Sequence, residues 1–287
     1  MEGFNFTNAS HNNISDPDGI KRSLSTMKVV TCIIISIGLC LTPVAIYAVC
    51  SLVRKNHVAP IYVINLLISD LIQFCCLIIS VAEQEKSHSI TLKVGYFLYD
   101  VGLMASVGFM VCVALERYLV IARPLWYSFK RVIKTPVLVC VVVWILPVFI
   151  SSTFWINENV YAIISATYLL LPLPLLISFL GGTIRALSAS RVSSDEKRRI
   201  VGILVLVLLI YTLLFMPTVI WQLGDSNDSS ADLSFLFVQL SPLADLFLYV
   251  FMRKGTIDKL LASVCCCRMD SNVSSRMDST YISSSTV

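Results

Sequence analysis

Seven stretches of at least 20 residues, none with more than one charged side chain, constrain the fold of this chain more than any other feature. A helix needs roughly 20 apolar residues to cross the hydrocarbon core of a bilayer. The alternating pattern of membrane strands is absent, so helices must satisfy the backbone hydrogen bonds in lipid. The stretches are Val29–Val53, Ala59–Ala82, Val94–Leu115, Thr135–Ile156, Val160–Ile184, Ile200–Leu223 and Leu233–Met252.

The low content of charged residues supports the same conclusion. The chain has 287 residues, of which 56% are hydrophobic and 14% are charged, and its mean hydropathy is +0.80. A soluble domain carries about 25% charged residues. Because the seven stretches use nearly the whole chain, we predict an all-α membrane protein with one seven-transmembrane helix bundle over residues 27–252 and no second folded domain.

Lysine and arginine are concentrated on one side of the predicted bundle, in the loops after the first, third, fifth and seventh stretches. The loops on the other side carry only Lys86 and Lys93, and Lys21, Arg22 and Lys28 precede the first stretch. Short cytoplasmic loops carry the excess of positive charge. We therefore predict a multi-pass plasma-membrane protein with its N-terminus outside. The net charge of +4 reflects this bias and does not indicate a nucleic-acid partner.

Residues 1–26 are polar and lack the apolar core of a cleavable signal, so we expect the first stretch to direct insertion. Three sequons for N-glycosylation lie in this segment, and a fourth lies in the last outer loop. Their clustering on the predicted outer face agrees with the topology. The candidate glycosylation sites are Asn5, Asn8, Asn13 and Asn227.

A charged triplet, Glu116-Arg117-Tyr118, ends the third stretch and opens the string ERYLVIARPLWY. Ionisable groups at a membrane helix are costly and usually functional. The simpler interpretation is an anchor of basic residues at the membrane surface. The string resembles the cytoplasmic end of the third helix in rhodopsin-like (class A) G-protein-coupled receptors, where a D/E-R-Y triplet precedes a P-L-x-Y turn.

The resemblance extends through all seven stretches, in the style of the branch with purinergic, lysolipid, proton-sensing and Mas-related receptors. The motifs that carry it are Asn65–Asp70, Trp144, Pro172, Phe215-Met216-Pro217 and Asp245–Tyr249. It implies a receptor rather than an enzyme, which transmits an extracellular ligand signal to a heterotrimeric G protein. The implied coupling residues are Glu116, Arg117, Tyr118, Lys197 and Tyr249, and the implied activation switch is Phe215 with Pro217.

A buried ion site also follows from the resemblance. Relatives surround a sodium ion with residues at the positions of Asp70, Ser106, Ser241 and Asp245. Two buried carboxylates need a cation, a shared proton or both, and a hard cation prefers oxygen ligands. The alternative is that one aspartate is simply protonated and hydrogen-bonded. We predict no other cofactor.

Several positions depart from the family pattern. Thr42 replaces an asparagine, Leu180 a tyrosine, and Leu246 a proline, for which Pro242 could supply a displaced kink. Lys197 stands where many relatives place an acid that restrains the arginine of the triplet. The outer loops contain no cysteine, so the family's usual disulfide between the third helix and the second outer loop cannot form.

The residues after the seventh stretch predict attachment to the membrane and to cytoplasmic partners. A segment that starts at Phe251 and continues into residues 253–267 resembles a short amphipathic eighth helix of the family. Residues 253–267 end in a predicted palmitoylation site at Cys265, Cys266 and Cys267. The disordered cytoplasmic tail, 268–287, is rich in serine and threonine, whose phosphates would suit an arrestin-type partner. Ser285–Val287 matches a ligand for PDZ-type domains.

The ligand pocket is the least defined part of the sequence. Family pockets lie between the outer halves of the helices, where aromatic side chains could equally form lipid-facing belts. Asp100 lies one residue beyond the position that amine receptors use, so it points roughly 100° away. The candidate pocket residues are Tyr96, Tyr99, Asp100, Trp221, Gln222, Phe235 and Gln239.

Two other functions are compatible with the residues. Asp70 and Asp245 could line the path of an ion or solute in a transporter or channel. Inverted repeats would favour that function, and none is evident in the sequence. The altered positions also allow a receptor-like protein that does not couple to a G protein; they are Thr42, Lys197, Leu180 and Leu246.

Overall fold

The computed structural model describes residues 17–53, 61–82, 90–122, 134–188, 194–224 and 228–252, and all structural statements concern these residues. Helices are the only regular secondary structure in these ranges. The helices are α1 (Pro17–Val53), α2 (Ile61–Ala82), α3 (Ile90–Ala122), α4 (Lys134–Ser152), α5 (Glu158–Leu170), α6 (Pro172–Ser188), α7 (Ser194–Leu223), α8 (Asp228–Gln239) and α9 (Ser241–Met252), with a 3₁₀ turn at Thr153–Trp155.

Two of the predicted spans are each built from two consecutive helices. The fifth span breaks at Leu171, directly before Pro172, and the seventh breaks at Leu240, two residues before Pro242. Proline has no N–H group to donate to the preceding turn, which explains why both breaks lie beside it. The Leu171 N–H still donates to the Thr167 carbonyl at 3.1 Å, so α5 and α6 continue one path.

The lengths of the helices confirm the prediction of a helical membrane bundle. Six segments are long and apolar enough to cross a bilayer, and the seventh is a shorter apolar segment over Ser234–Tyr249. The predicted eighth helix falls outside the described residues beyond Met252, and its first two residues, Phe251 and Met252, belong to α9.

Some helix ends differ from the sequence prediction. α1 begins at Pro17, within the segment expected to be a polar tail, and proline is favoured at the first position of a helix because its missing N–H has no partner there anyway. α3 continues to Ala122, beyond the apolar stretch that ends at Leu115, and carries the charged triplet near its end. Asn157 caps α5 by accepting the N–H groups of Asn159 at 3.0 Å and Val160 at 3.2 Å.

α3 is the central helix of the bundle. In the most apolar segment of α3, 72% of the residues are buried, whereas in that of α4 the buried share is 22%. α4 therefore presents most of its surface outwards. Trp144 of α4 packs edge-on against Phe109 of α3 at 5.7 Å, and its indole N–H donates to Asn65 Oδ1 of α2 at 3.0 Å. These contacts fix α2, α3 and α4 together at the depth of the buried aspartates.

Candidate functional site

Two aspartates from different helices meet in the centre of the bundle. Asp70 of α2 and Asp245 of α9 are both fully buried, and their carboxyl groups are close enough to interact with each other. Ser106 of α3, also fully buried, donates to Asp245 Oδ2 at 2.9 Å. The structure thus joins three of the four residues that the sequence assigned to a sodium site.

Several oxygen atoms around this pair have no donor. Neither oxygen of Asp70 receives a hydrogen bond from a donor among the described residues, and the same holds for Asp245 Oδ1 and the hydroxyl oxygen of Ser241. Ser241 lies one turn before Asp245 on the same face of α9 and is fully buried. Buried polar atoms are normally satisfied, so we expect a proton, a cation or water to satisfy this cluster.

Thr42 of α1 belongs to the same level of the bundle. The Phe74 ring of α2 packs so closely on Gly38 that no side chain would fit there. Because consecutive helices run antiparallel, one further turn along each helix brings Thr42 beside Asp70. Thr42 is fully buried and its hydroxyl oxygen has no partner in the described part of the chain. It would therefore be a further candidate oxygen ligand, at the position where the resemblance implies an asparagine.

The oxygen cluster suits a hard monovalent cation. Its ligands are two carboxylates and the hydroxyls of serine and threonine, the oxygen donors that such ions prefer. Across the described ranges, no group of three histidine, cysteine, aspartate or glutamate side chains converges as a softer or divalent metal would require. The residues present therefore fit sodium, and they fit a shared proton equally well.

The charged triplet lies near the C-terminal end of α3. Glu116, Arg117 and Tyr118 are partly buried, and the Nε atom of Arg117 is buried without a hydrogen-bond partner among the described residues. Lys197 lies in the first turn of α7, and Tyr249 lies near the end of α9. Because the spans alternate in direction, these ends of α3, α7 and α9 share one side of the bundle, as a common docking surface requires.

The side chain of Tyr118, the last residue of the triplet, packs against α6. Its ring stacks on Phe179 with a centroid distance of 5.7 Å and an interplanar angle of 19°. A Cβ atom at Gly182 would lie 2.6 Å from Cε2 of the Tyr118 ring, so only glycine leaves room for the ring there. Sequence analysis assigned Tyr118 to coupling but missed both of its α6 partners.

The predicted activation switch lies inside α7. Phe215 is fully buried and stacks on Tyr211 with a centroid distance of 5.3 Å. Tyr211 also donates its hydroxyl hydrogen to the Leu169 carbonyl of α5. The Pro217 carbonyl accepts a hydrogen bond of 3.3 Å from Ser234 of α8. A movement of α7 at the switch residues would therefore alter its contacts with α5 and α8.

The candidate pocket residues differ in their surroundings. Tyr99 faces Phe235 at a centroid distance of 6.3 Å, and Gln239, one turn from Phe235, accepts a 2.8 Å hydrogen bond from Thr31 of α1. Trp221 Nε1 and Gln222 Oε1 are buried without partners among the described residues. Tyr96 is 41% exposed on the outside of α3, as expected for a lipid-facing belt rather than a pocket.

Asp100 takes part in a separate contact between helices. Ser151 of α4 donates to its Oδ2 atom at 2.6 Å, and Tyr161 of α5 donates to its Oδ1 atom at 2.8 Å. Both carboxylate oxygens are thus occupied by neighbouring helices. Asp100 therefore ties α3, α4 and α5 together and does not face the Tyr99–Phe235 pair, since it is the next residue along the helix.

Sequence reasoning missed several polar residues in this half of the bundle. Thr31, Gln73, Ser151 and Tyr161 are each buried or half-buried, and Gln73 Oε1 has no partner within the described ranges. The available signal was a polar side chain inside an apolar stretch. That signal is weak for serine and threonine, because a membrane helix can satisfy their hydroxyls with its own carbonyls.

The candidate modification sites lie outside the described residues. They are the glycosylation sites Asn5, Asn8, Asn13 and Asn227, the palmitoylation site at Cys265, Cys266 and Cys267, and the terminal motif Ser285–Val287. Six cysteines within the described ranges are free thiols, namely Cys32, Cys40, Cys75, Cys76, Cys112 and Cys140.

Comparison with known proteins finds similarity to receptors. Residues 44–162 match the family described as 7 transmembrane receptor (rhodopsin family). G-protein coupled receptor 68 of Homo sapiens is 31% identical over 114 residues, which cover 38% of this chain and 31% of that protein. The corresponding protein of Bos taurus is 28% identical over 114 residues, with the same two coverages.

A longer alignment links the chain to a different receptor. Proteinase-activated receptor 2 of Rattus norvegicus is 23% identical over 317 aligned positions, covering 91% of this chain and 79% of that protein. The matches to G-protein coupled receptor 68 span about a third of those relatives. These similarities support the family that the charged triplet and the helix motifs predict.

Proposed function

We propose that the chain is a rhodopsin-like G-protein-coupled receptor, which converts binding of an extracellular ligand into activation of a heterotrimeric G protein. The observation that carries this proposal is the position of Glu116, Arg117 and Tyr118 on α3, on the same side of the bundle as the first turn of α7 and the end of α9. A partner can contact these three helix ends together.

The proposed orientation places this side in the cytoplasm. It rests on the excess of lysine and arginine in the loops that follow α3 and α6. The N-terminus is then outside the plasma membrane, where Asn5, Asn8 and Asn13 would meet the glycosylation machinery. Asn227, between α7 and α8, lies on the same outer side.

Coupling proceeds in this proposal by a shift between two populations. A ligand that binds the open bundle more tightly than the closed one increases the open fraction. Opening would separate the Arg117 end of α3 from α6 and α7, so that Arg117, whose Nε atom has no partner among the described residues, meets the G protein. Phe215 and Pro217 of α7 would change packing as that helix moves.

The ligand is proposed to bind in the outer half of the bundle. Tyr99 and Phe235 provide an aromatic face there, and the buried polar atoms of Trp221, Gln222 and Gln73 lack partners within the described ranges. Such groups suit a ligand with both an aromatic or apolar part and hydrogen-bonding atoms.

We propose that sodium binds the closed receptor at Asp70, Ser106, Ser241 and Asp245, with Thr42 nearby. The buried oxygens without donors support this site. The ion would supply the positive charge that the two carboxylates need in a medium of low polarity. If opening collapses the site, sodium and activating ligands oppose each other by linkage.

The cytoplasmic tail provides the remaining partners in this proposal. Cys265, Cys266 and Cys267 would carry palmitoyl chains that hold the segment after α9 on the membrane. Phosphorylated serines and threonines in 268–287 would bind an arrestin-type protein, and Ser285–Val287 would bind a PDZ-type domain.

Guanine-nucleotide exchange on a panel of purified G proteins tests the proposed function. The wild-type receptor in lipid nanodiscs should accelerate exchange on at least one G protein, because a family member at equilibrium populates some open state without ligand. Arg117→Ala should remove the acceleration. Lys93→Ala, a charge removal at the opposite end of α3, is the matched control and should behave as wild type.

Two other results would contradict the proposal. Ion or solute flux through liposomes that contain the protein, lost in Asp70→Asn and unaffected by Arg117→Ala, would instead show a channel or transporter. Full ligand-dependent conformational change without exchange on any G protein would show a receptor-like protein that does not couple.

A further inference from the structure

Two consecutive glycines in α6 have opposite surroundings. Gly181 is exposed, and a Cβ atom there would have nothing within 4 Å. A Cβ atom at Gly182 would lie 2.6 Å from Cε2, 3.3 Å from Cζ and 3.4 Å from Cδ2 of Tyr118. The missing side chain of Gly182 therefore provides the space in which the Tyr118 ring lies.

Phe179 completes the seat for the ring. It lies three residues before Gly182 and thus on the same face of α6. Its ring and the Tyr118 ring are nearly parallel, at 19°, with their centroids 5.7 Å apart. The Tyr118 ring consequently rests across two turns of α6, with an aromatic partner on one turn and bare backbone on the next.

This arrangement is the kind that holds membrane helices together. Lipid tails are as apolar as the side chains, so helices associate in membranes by close packing, for which small residues are favoured at interfaces. Glycine in a helix interior is otherwise destabilising relative to alanine. The contact with Tyr118 explains why residue 182 is a glycine. Gly181 has no such contact.

Polar restraints at this end of the bundle are altered. Lys197 in the first turn of α7 has the same charge as Arg117, so it cannot form the acid–arginine pair of relatives. Leu180 in α6 replaces a tyrosine and has no hydroxyl to donate. Packing at Tyr118 can hold α3 against α6 without either polar contact.

We propose that Tyr118, seated between Phe179 and Gly182, is a latch that holds the Arg117 end of α3 against α6 and so limits signalling without ligand. The latch is a packing device, and its effect on signalling rests on the proposed receptor function. An alanine at Gly182 would displace the ring and its stacking on Phe179, while the charged residues of the triplet stay unchanged.

The test is a double-mutant cycle with Gly181→Ala as the matched control. The variants are Gly182→Ala, Gly181→Ala, Tyr118→Ala, Tyr118→Phe and the double variant Tyr118→Ala/Gly182→Ala, each as the full chain in nanodiscs. Thermal unfolding and hydrogen exchange at residues 119–122 and 183–188 measure the latch directly. Basal guanine-nucleotide exchange, at equal amounts of folded receptor, measures its effect on signalling.

Gly182→Ala should lower the unfolding temperature and speed hydrogen exchange at both helix ends, whereas Gly181→Ala should do neither. Basal nucleotide exchange should rise about threefold to tenfold in Gly182→Ala, where tenfold corresponds to a 1.4 kcal/mol shift of the equilibrium. In the Tyr118→Ala background the Gly182→Ala change should no longer destabilise, because the ring is gone. Tyr118→Phe keeps the ring and should keep the unfolding temperature and the hydrogen exchange of wild type.

Equal unfolding and hydrogen exchange in Gly182→Ala and Gly181→Ala would overturn the latch. A destabilised Gly182→Ala receptor with unchanged or reduced basal exchange, on a G protein that wild type activates, would overturn its role as a restraint. If no variant activates any G protein, the proposed receptor function fails, while the unfolding cycle and hydrogen exchange still decide whether Tyr118 holds α3 to α6.

Discussion

Ser106 donates its hydroxyl hydrogen to Asp245 across 2.9 Å, and this bond makes the two buried carboxyl groups of the bundle unequal. Asp245 has one oxygen satisfied, whereas neither oxygen of Asp70 receives a hydrogen bond from a donor among the described residues. An unsatisfied buried charge is strongly unfavourable. A cation or proton that enters the site is therefore needed most at Asp70.

Asp70→Asn should abolish stabilisation by sodium. The unfolding temperature of wild type should be higher in sodium chloride than in choline chloride at equal ionic strength. An ion at ten times its dissociation constant contributes about 1.4 kcal/mol. Ser241→Ala should weaken the difference without removing it, since it removes one neutral oxygen.

Equal unfolding temperatures of wild type in the two salts would contradict the sodium site. A shared proton would then remain as the explanation. In that case the folded state binds more protons than the unfolded state, so wild-type stability should fall as the pH rises.

Arg117→Ala should abolish G-protein activation while surface expression stays near that of wild type. Arg117 is only partly buried, near the end of α3, and its Nε atom has no partner among the described residues, so its removal costs the fold little. Ligand-independent nucleotide exchange and flow cytometry of intact cells measure the two quantities. Normal signalling at an equal surface level would disprove the role of the triplet in coupling.

The sequence predicted the helical bundle well because the bilayer imposes one length and one composition on every span. It was less accurate at helix ends, since nothing in an apolar stretch marks where the helix continues into water. α3 illustrates this, because the predicted apolar stretch ends at Leu115, whereas the helix continues through the charged triplet to Ala122.

Within the site, the sequence predicted residues that carry charge and missed those that provide space or a hydroxyl. Asp70 and Asp245 are conspicuous because a carboxylate in an apolar stretch is expensive. Gly182 matters only through the ring that lies against it, and Gly181 beside it has no such contact. That distinction depends on the rotation of α6 relative to α3, which no local pattern specifies.

Lys197→Glu should lower basal signalling. A glutamate in the first turn of α7 could form the charge-assisted bond to Arg117 that lysine cannot, and such bonds contribute about 1.5–3 kcal/mol. A shift of that size in favour of the closed state would reduce basal nucleotide exchange about tenfold or more. Arg198→Glu makes the same charge change at the exposed neighbouring position and is the control. An equal effect of both variants would indicate a general change of surface charge instead.

The contacts of Asp100 should stabilise the outer ends of α3, α4 and α5, where the family's disulfide cannot form. Ser151→Ala and Tyr161→Phe each remove one of the two hydroxyl donors, at 2.6 and 2.8 Å, and leave a carboxylate oxygen without its partner. Such a loss costs about 1–3 kcal/mol, so each variant should unfold several degrees below wild type. Ser152→Ala is the matched control, because the Ser152 hydroxyl bonds only to the Phe149 carbonyl of its own helix. The double variant should lose less than the sum of the single losses, since both hydroxyls act on the same carboxylate. Unfolding temperatures of Ser151→Ala and Tyr161→Phe equal to that of Ser152→Ala would show that Asp100 does not hold these helices together.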